Sequence, residues 1–202
     1  MSLSAPGVLT MDGFFQTETK GSFITYTDNR LWVGEFTRSN GTYSVPKSHH
    51  RQTGSGTVNF GWLGGYSLDP ETGLIRTDQI HDGTAYPDMI LSIPHEIQGA
   101  AFTDGVIVFS RSFGRRNRSH ISVYRNPMGE KSDDHFTAPS GQTVPVWILD
   151  NTHLKSQITA PPMSEGLTLV GPDVWVLFES GSDKYRKSAL DPLDRIQILN
   201  LY

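Results

Sequence analysis

Glu165-Gly166-Leu167-Thr168-Leu169, then Gly171-Pro172-Asp173, then Val174-Trp175-Val176-Leu177-Phe178 is the stretch that decides the fold class. The closing pentapeptide is β-branched and aromatic, the composition of a strand. Both its odd and its even positions are apolar, so the strand is expected to be covered on both faces. Gly171-Pro172-Asp173 is turn chemistry, so the whole reads as a hairpin. The same order of a small residue, an apolar strand, a tight polar turn and a strongly apolar strand recurs twice upstream. It is found in Gly21-Ser22-Phe23-Ile24-Thr25-Tyr26 with Leu31-Trp32-Val33-Gly34-Glu35-Phe36, turning at Asp28-Asn29. It is found again in Gln98-Gly99-Ala100-Ala101-Phe102 with Val106-Ile107-Val108-Phe109-Ser110, turning at Asp104-Gly105. The three segments align on Leu31, Val106 and Val174.

Further strands are expected between these hairpins, at Thr42 to Val45, Phe60 to Ser67, His120 to Tyr124, Val144 to Leu149 and Ile196 to Leu199. Each unit then holds about four strands, the composition of a propeller blade. Helical periodicity is scarce. The best helical segment is Ser182 to Leu190, which stops at Pro192 and is too short to carry a fold. The expected class is all-β and β-propeller-like, with about three four-stranded blades. Three blades cannot close a ring, since propellers use about four to eight. The chain therefore contains further blades, is half of a longer ring, or pairs with a second copy to give six. A half ring leaves an apolar blade face bare, which predicts a homodimer.

The bulk properties agree with a folded protein. The 202 residues carry 21 acidic and 17 basic side chains, 10 Phe, 7 Tyr, 4 Trp and no Cys. That many aromatics with a formal charge of −4 excludes a disordered chain. The absence of Cys excludes a disulfide scaffold and a Cys-based zinc module. A pI near 5.9 argues against a general nucleic-acid binder. No apolar run approaches the ~18 residues that span a bilayer, so no membrane span is expected. Residues 1–15 lack a basic segment and an apolar run and do not read as a signal peptide, which leaves a cytoplasmic chain or a trimmed exported one. The division expected is an N-terminal extension or cloning remnant over 1–18 and a propeller-like β domain over 19–202.

Gln98-Gly99 and Glu165-Gly166, each opening a strand–turn–strand unit, resemble the blade opening of six-bladed propellers of the strictosidine synthase-like, gluconolactonase-like and paraoxonase-like groups. The stretches Ser110-Arg111-Ser112-Phe113-Gly114-Arg115, Ser119 to Tyr124, Leu177-Phe178-Glu179-Ser180-Gly181 and Lys184-Tyr185-Arg186 also resemble uncharacterised bacterial propeller-like proteins. The resemblance is patchy over residues 20–200. In the lactonase groups a Glu at the blade opening binds a divalent cation, commonly calcium, so the resemblance implies Glu165 as a metal ligand. The second unit carries Gln98 there and the first only Gly21 or Ser22, short of the roughly six to eight oxygens calcium takes.

Other residues carry chemistry of their own. Arg111, Arg115, Arg116 and Arg118 put four guanidinium groups in one Gly- and Asn-containing loop, which suits bidentate recognition of a carboxylate or phosphate, or pairing with nearby acids. Glu179 follows an apolar strand and could act as an acid or base if buried, or could pair with Lys184 and Arg186. Glu35 occupies a similar place in the first unit. The seven His are scattered without metal-site spacing, and Asp133-Asp134-His135 reads as a polar turn. No Gly-x-Ser-x-Gly elbow and no phosphate-binding loop is present. The leading expectation is a non-catalytic binding scaffold. Its small-molecule or protein ligand would meet Gln98, Arg111, Arg115, Arg118, Glu165 and Glu179 at the channel mouth. The alternatives are a metal-assisted hydrolase of lactonase or esterase type, and an inactive half-propeller that associates.

Overall fold

The structure, a computed structural model, describes residues 16–103 and 105–200. Most of the expected N-terminal extension, and Asp104 of the second expected turn, lie outside the described residues. In chain order the strands are β1 (Gln16–Thr17), β2 (Gly21–Thr27), β3 (Arg30–Glu35), β4 (Arg51–Gln52), β5 (Val58–Asn59) and β6 (Gly61–Ser67). They continue with β7 (Ile80–His81), β8 (Thr84–Ala85), β9 (Met89–Ile93), β10 (Ile97–Thr103), β11 (Val106–Arg111) and β12 (Ser119–Arg125). The last are β13 (Asp134–Thr137), β14 (Thr143–Ile148), β15 (Leu154–Ala160), β16 (Ser164–Val170), β17 (Asp173–Phe178) and β18 (Gln197–Asn200). Single 3-10 turns and no α-helix accompany them among the described residues, so the protein is all-β. No helix there is long and apolar enough to cross a membrane.

Three sheets carry the molecule, and none closes on itself. The first is the antiparallel meander β2-β3-β6-β9, widened by β14 parallel to β9 and by β13. The second is the antiparallel β10-β11-β12-β15 and the third is β16-β17-β18. The β13–β14 hairpin belongs to the connection between β12 and β15, so the second sheet's own loop ties it to the first. Two short sheets, β1-β8-β7 and β4-β5, complete the fold.

Apolar residues hold the three sheets face to face. Trp32, Leu63 and Leu91 of the first sheet pack on Ala100, Ile107, Phe109 and Tyr124 of the second. The other side of the second sheet, Ala101, Val108 and Ile121, packs on Leu167, Val174, Val176 and Phe178 of the third. The middle sheet is therefore covered on both faces, as the sequence predicts for these strands. The third is not. Along β17, Val174, Val176 and Phe178 are buried, but Leu177 is 53% exposed and Ile198 beside this face is 57% exposed. The expectation of two-faced burial for Val174 to Phe178 fails because no further sheet follows the third among the described residues.

The hairpins opening the three sheets share one geometry. Their ladders end at Thr27–Arg30, Thr103–Val106 and Val170–Asp173. Each first strand is bulged near its start, between Gly21 and Phe23, Ile97 and Gly99, and Ser164 and Leu167. Arg30, Val106 and Asp173 thus correspond, one residue away from the sequence alignment on Leu31 and Val174. A one-residue slip exchanges the faces of a strand, so the corrected register matters. It puts Trp32, Val108 and Trp175 in one position, where the first two face the following sheet. It puts Ile24, Ala100 and Leu167 in another, where the last two face the preceding sheet.

Two other expectations change. Ser182 to Leu190 forms turns instead of a helix, with isolated bonds from Arg186 N to Ser182 O and from Ala189 N to Tyr185 O. Thr42 to Val45 is no strand, because Tyr43 adopts φ +56°.

Candidate ligand-binding cleft

A bulge leaves one residue out of the ladder and re-aims its side chain. In the three opening hairpins the residues at that point are Ser22, Gln98 and Glu165, and all three line one cleft of about 350 Å³. The residue following each second strand joins them: Phe36 after β3, Ser112 after β11 and Glu179 after β17. Three corresponding places on three sheets therefore converge on one opening. Gly99 lets them do so, since a Cβ there would lie 2.6 Å from the carbonyl oxygen of Glu165. Only glycine allows β16 to come this close to β10 and bring Glu165 beside Gln98.

Polar groups gather on the third sheet's side. The Gln98 amide Nε2 donates to Glu165 Oε1 at 3.4 Å. Glu165 also shares a side-chain hydrogen bond with Glu179. Burial pushes the Glu165 carboxyl up from its ordinary 4.5 to about 7, and the charge and hydrogen bond of Glu179 push the same way. The Glu179 backbone N–H donates to Met163 O at 2.9 Å, which fixes the turn that carries it. Glu179 is not paired with its sequence neighbours: Arg186 bonds Gly181 O and reaches Asp194, and Lys184 lies over the Tyr185 ring.

Aromatic side chains form the opposite wall. Phe36 meets Tyr43 edge-on at 5.1 Å and stacks on Phe113 at 6.4 Å. Tyr185 closes the far side beneath the Arg115 guanidinium, 4.8 Å from its ring centre. Arg115 Nη1 donates to Ser188 Oγ at 3.2 Å, and Leu190 N donates to Arg115 O at 3.0 Å. No ion pair links Arg115, Glu165 or Glu179 to any described residue.

Of the residues singled out in the sequence, Gln98, Arg115, Glu165 and Glu179 meet in this cleft. Arg111 and Arg118 are not on its wall. Arg111 Nη2 bonds His95 Nε2 at 2.6 Å and lies 3.9 Å from the Glu96 carboxylate. Arg118 pairs with Asp191 at 2.6 Å on the surface. Asp133 and Asp134 are held by Ile148 N and Arg51. Phe36, Tyr43, Ser112, Phe113 and Tyr185 are site residues that sequence reasoning missed. The signal for Phe36 and Ser112 was their place directly after the second strand, the place Glu179 also holds.

No group of three or more His, Cys, Asp or Glu positioned to hold a metal occurs among the described residues. Two carboxylates, with the Gln98 amide nitrogen turned toward them, fall short of calcium's roughly six to eight oxygens, so the side chains present do not fit that ion by themselves.

Glu35, the residue before Phe36, faces the other way, into the first sheet. It is fully buried and accepts from Lys20 N and Trp62 N, each at 2.9 Å. His49 Nδ1 lies 3.0 Å from its Oε1, and His49 Nε2 lies 3.4 Å from Glu18. The His49 ring stacks on Trp62 at 3.6 Å. This closed cluster knits the loop bearing His49 to the sheet.

No family model, no curated protein and no solved structure matches the chain.

Proposed function

We propose that the protein is a propeller-like binding scaffold whose ligand, a small molecule, occupies the cleft between Glu165, Gln98 and the aromatic wall. The observation that carries this reading is the convergence of corresponding bulge and strand-end residues from three successive sheets on one opening. Packing alone has no use for a carboxyl pair without a cation and a guanidinium without an anion on the same rim. A volume of about 350 Å³ also falls within the usual range for ligand pockets. The three sheets are read as blades, with β2, β10 and β16 innermost.

Ligand-observed NMR with a mixed panel of small anions, cations, zwitterions, neutral sugars and lactones tests the reading. Binders of some class are expected, with resonance changes confined to residues around Glu165 and Glu179. A panel with no binder, or with binding only elsewhere, overturns it. Parallel melts with calcium and with a chelator address the hydrolase alternative. A cation bound only by the native state at ~100 times its dissociation constant adds ~2.7 kcal/mol and raises the midpoint by several degrees. Such a rise, abolished by Glu165→Ala, would replace the scaffold with a calcium-dependent enzyme.

A second reading concerns assembly. Ile24 and Tyr26 of the first sheet are 69% and 62% exposed, at positions whose counterparts in the other two sheets face a preceding sheet. Leu177 and Ile198 of the third sheet lie where a following sheet would pack. The occupant that supplies both missing neighbours with matching geometry is a second copy of the chain, joined head to tail.

A further inference from the structure

Two unpaired charges of opposite sign share the cleft. Glu165 and Glu179 line it with Gln98, and no cation forms an ion pair with them among the described residues. Arg115 lines it too; its guanidinium is held by a neutral hydroxyl and a ring face and pairs with no carboxylate among the described residues. The carboxyl pair is partly buried, where a charge without a partner is costly, while Arg115 is exposed and free to pair with an anion that enters the cleft. Phe36, Phe113 and the 60% exposed Tyr43 line the same cleft and offer apolar contact.

Resting on the binding reading above, we infer that the cleft takes a small zwitterion of the amino-acid class: its ammonium sits on the Glu165–Glu179 pair, its carboxylate on Arg115 and its side chain against the aromatic wall. A simple cation leaves Arg115 unmatched, and a simple anion meets two carboxyls. Guanidinium binds carboxylate bidentately, and an ammonium is drawn to both carboxylates and aromatic faces. Burial and Glu179 hold a proton on Glu165 up to about 7, and an arriving ammonium displaces it. Binding therefore releases a proton near neutrality and is tighter at pH 8 than at pH 6. The other charged or titratable groups near the pair are Arg115, Lys184, Tyr43 and Tyr185, and burial of charge is outweighed at Lys184 by its contact with Tyr185, which raises its pKa further above this interval.

Titration calorimetry with three related probes separates the contributions. L-Phenylalanine carries both charges, phenethylamine lacks the carboxylate and 3-phenylpropionate lacks the ammonium. L-Phenylalanine is expected to bind at least about tenfold more tightly than either, since ~1.4 kcal/mol per matched charge is a factor of ten. Arg115→Gln is expected to erase its advantage over phenethylamine. Glu179→Gln is expected to erase its advantage over 3-phenylpropionate. The unmodified protein with three probes already decides the matter if a variant fails to fold. Equal affinities, a preference for either single-charge probe, or no binding of L-phenylalanine at millimolar concentration overturns the zwitterion assignment. If another class in the NMR panel still perturbs the cleft, the assignment fails while the binding reading stands. If nothing binds there, both fail.

Discussion

Glu165 is a carboxyl kept in a place that disfavours its charge, and that has a consequence for stability. Its native proton is held up to about 7, against an ordinary 4.5 in the unfolded chain. Between those values the native state binds more proton than the unfolded one, so stability falls as pH rises across the interval and levels off above it. Asp69 and Asp150 are held below their ordinary value and act below this window. His50 and His95, both lowered, act in the opposite sense within it. Comparison with Glu165→Gln therefore isolates the effect. Urea midpoints at pH 5 and pH 8 are expected to show the variant gaining on the wild type as pH rises. A constant difference between the two proteins would mean that Glu165 does not titrate there. The residue was legible in the sequence because it opens a strand–turn–strand unit. Its partner Glu179 was legible as a Glu after an apolar strand, but its meeting with Glu165 was not, since that depends on a bulge and a turn coming together.

At the scale of elements, the opening hairpins were readable because apolar strands and Gly, Asn and Asp turns mark them plainly. Their register was not. The aligned sequence shifts two of them by one residue, because the polar Arg30 and Asp173 open strands whose counterpart opens on the apolar Val106. Among the strands of five or more residues, two escaped entirely. β15, Leu154–Ala160, is polar and exposed along most of its length, and is identified only by its ladder to β12. β9, Met89–Ile93, sits inside a run broken by Pro87 and Pro94 that conceals it. The Glu35–His49 cluster was also invisible, since it joins a strand to a loop through a 3-10 turn at Lys47–His49. It gives a test at this scale. Removing one member strands the other in a site with no water, and breaking such buried pairs costs about 3–5 kcal/mol. His49→Ala, which also removes the stacking on Trp62, is expected to lower stability by that order. Glu35→Gln keeps the shape but, with one oxygen where two accepted, retains only one of the bonds from Lys20 N and Trp62 N, and is expected to cost less because no cavity opens. Chemical denaturation of both variants checks the order, and equal small losses would show the cluster to be peripheral to the fold.

At the scale of the molecule, the sheets form a row with two unlike ends. The inner faces follow one rule: the 32, 108, 175 position looks forward and the 24, 100, 167 position looks back. Among the described residues each forward position within the row meets a sheet, until Trp175 and Leu177 meet none, and the backward position at Ile24 meets none either. A face that satisfies the rule inside the chain and breaks it only at the ends is shaped for the opposite end of another copy. Exposed apolar patches of this kind mark association surfaces, and a heterologous contact closes only if the rotation per sheet completes a ring. On the proposed assembly, two copies would give a closed ring with two clefts facing a common axis. Sedimentation velocity at micromolar concentration is expected to show a dimer. Leu177→Glu with Ile198→Glu, both on exposed positions where the monomer fold loses little, is expected to return a monomer with unchanged melting behaviour at low concentration. A wild-type monomer at every concentration would leave the two bare faces without a self-partner, and an open ladder of sizes would mean that the contact forms but the ring does not close.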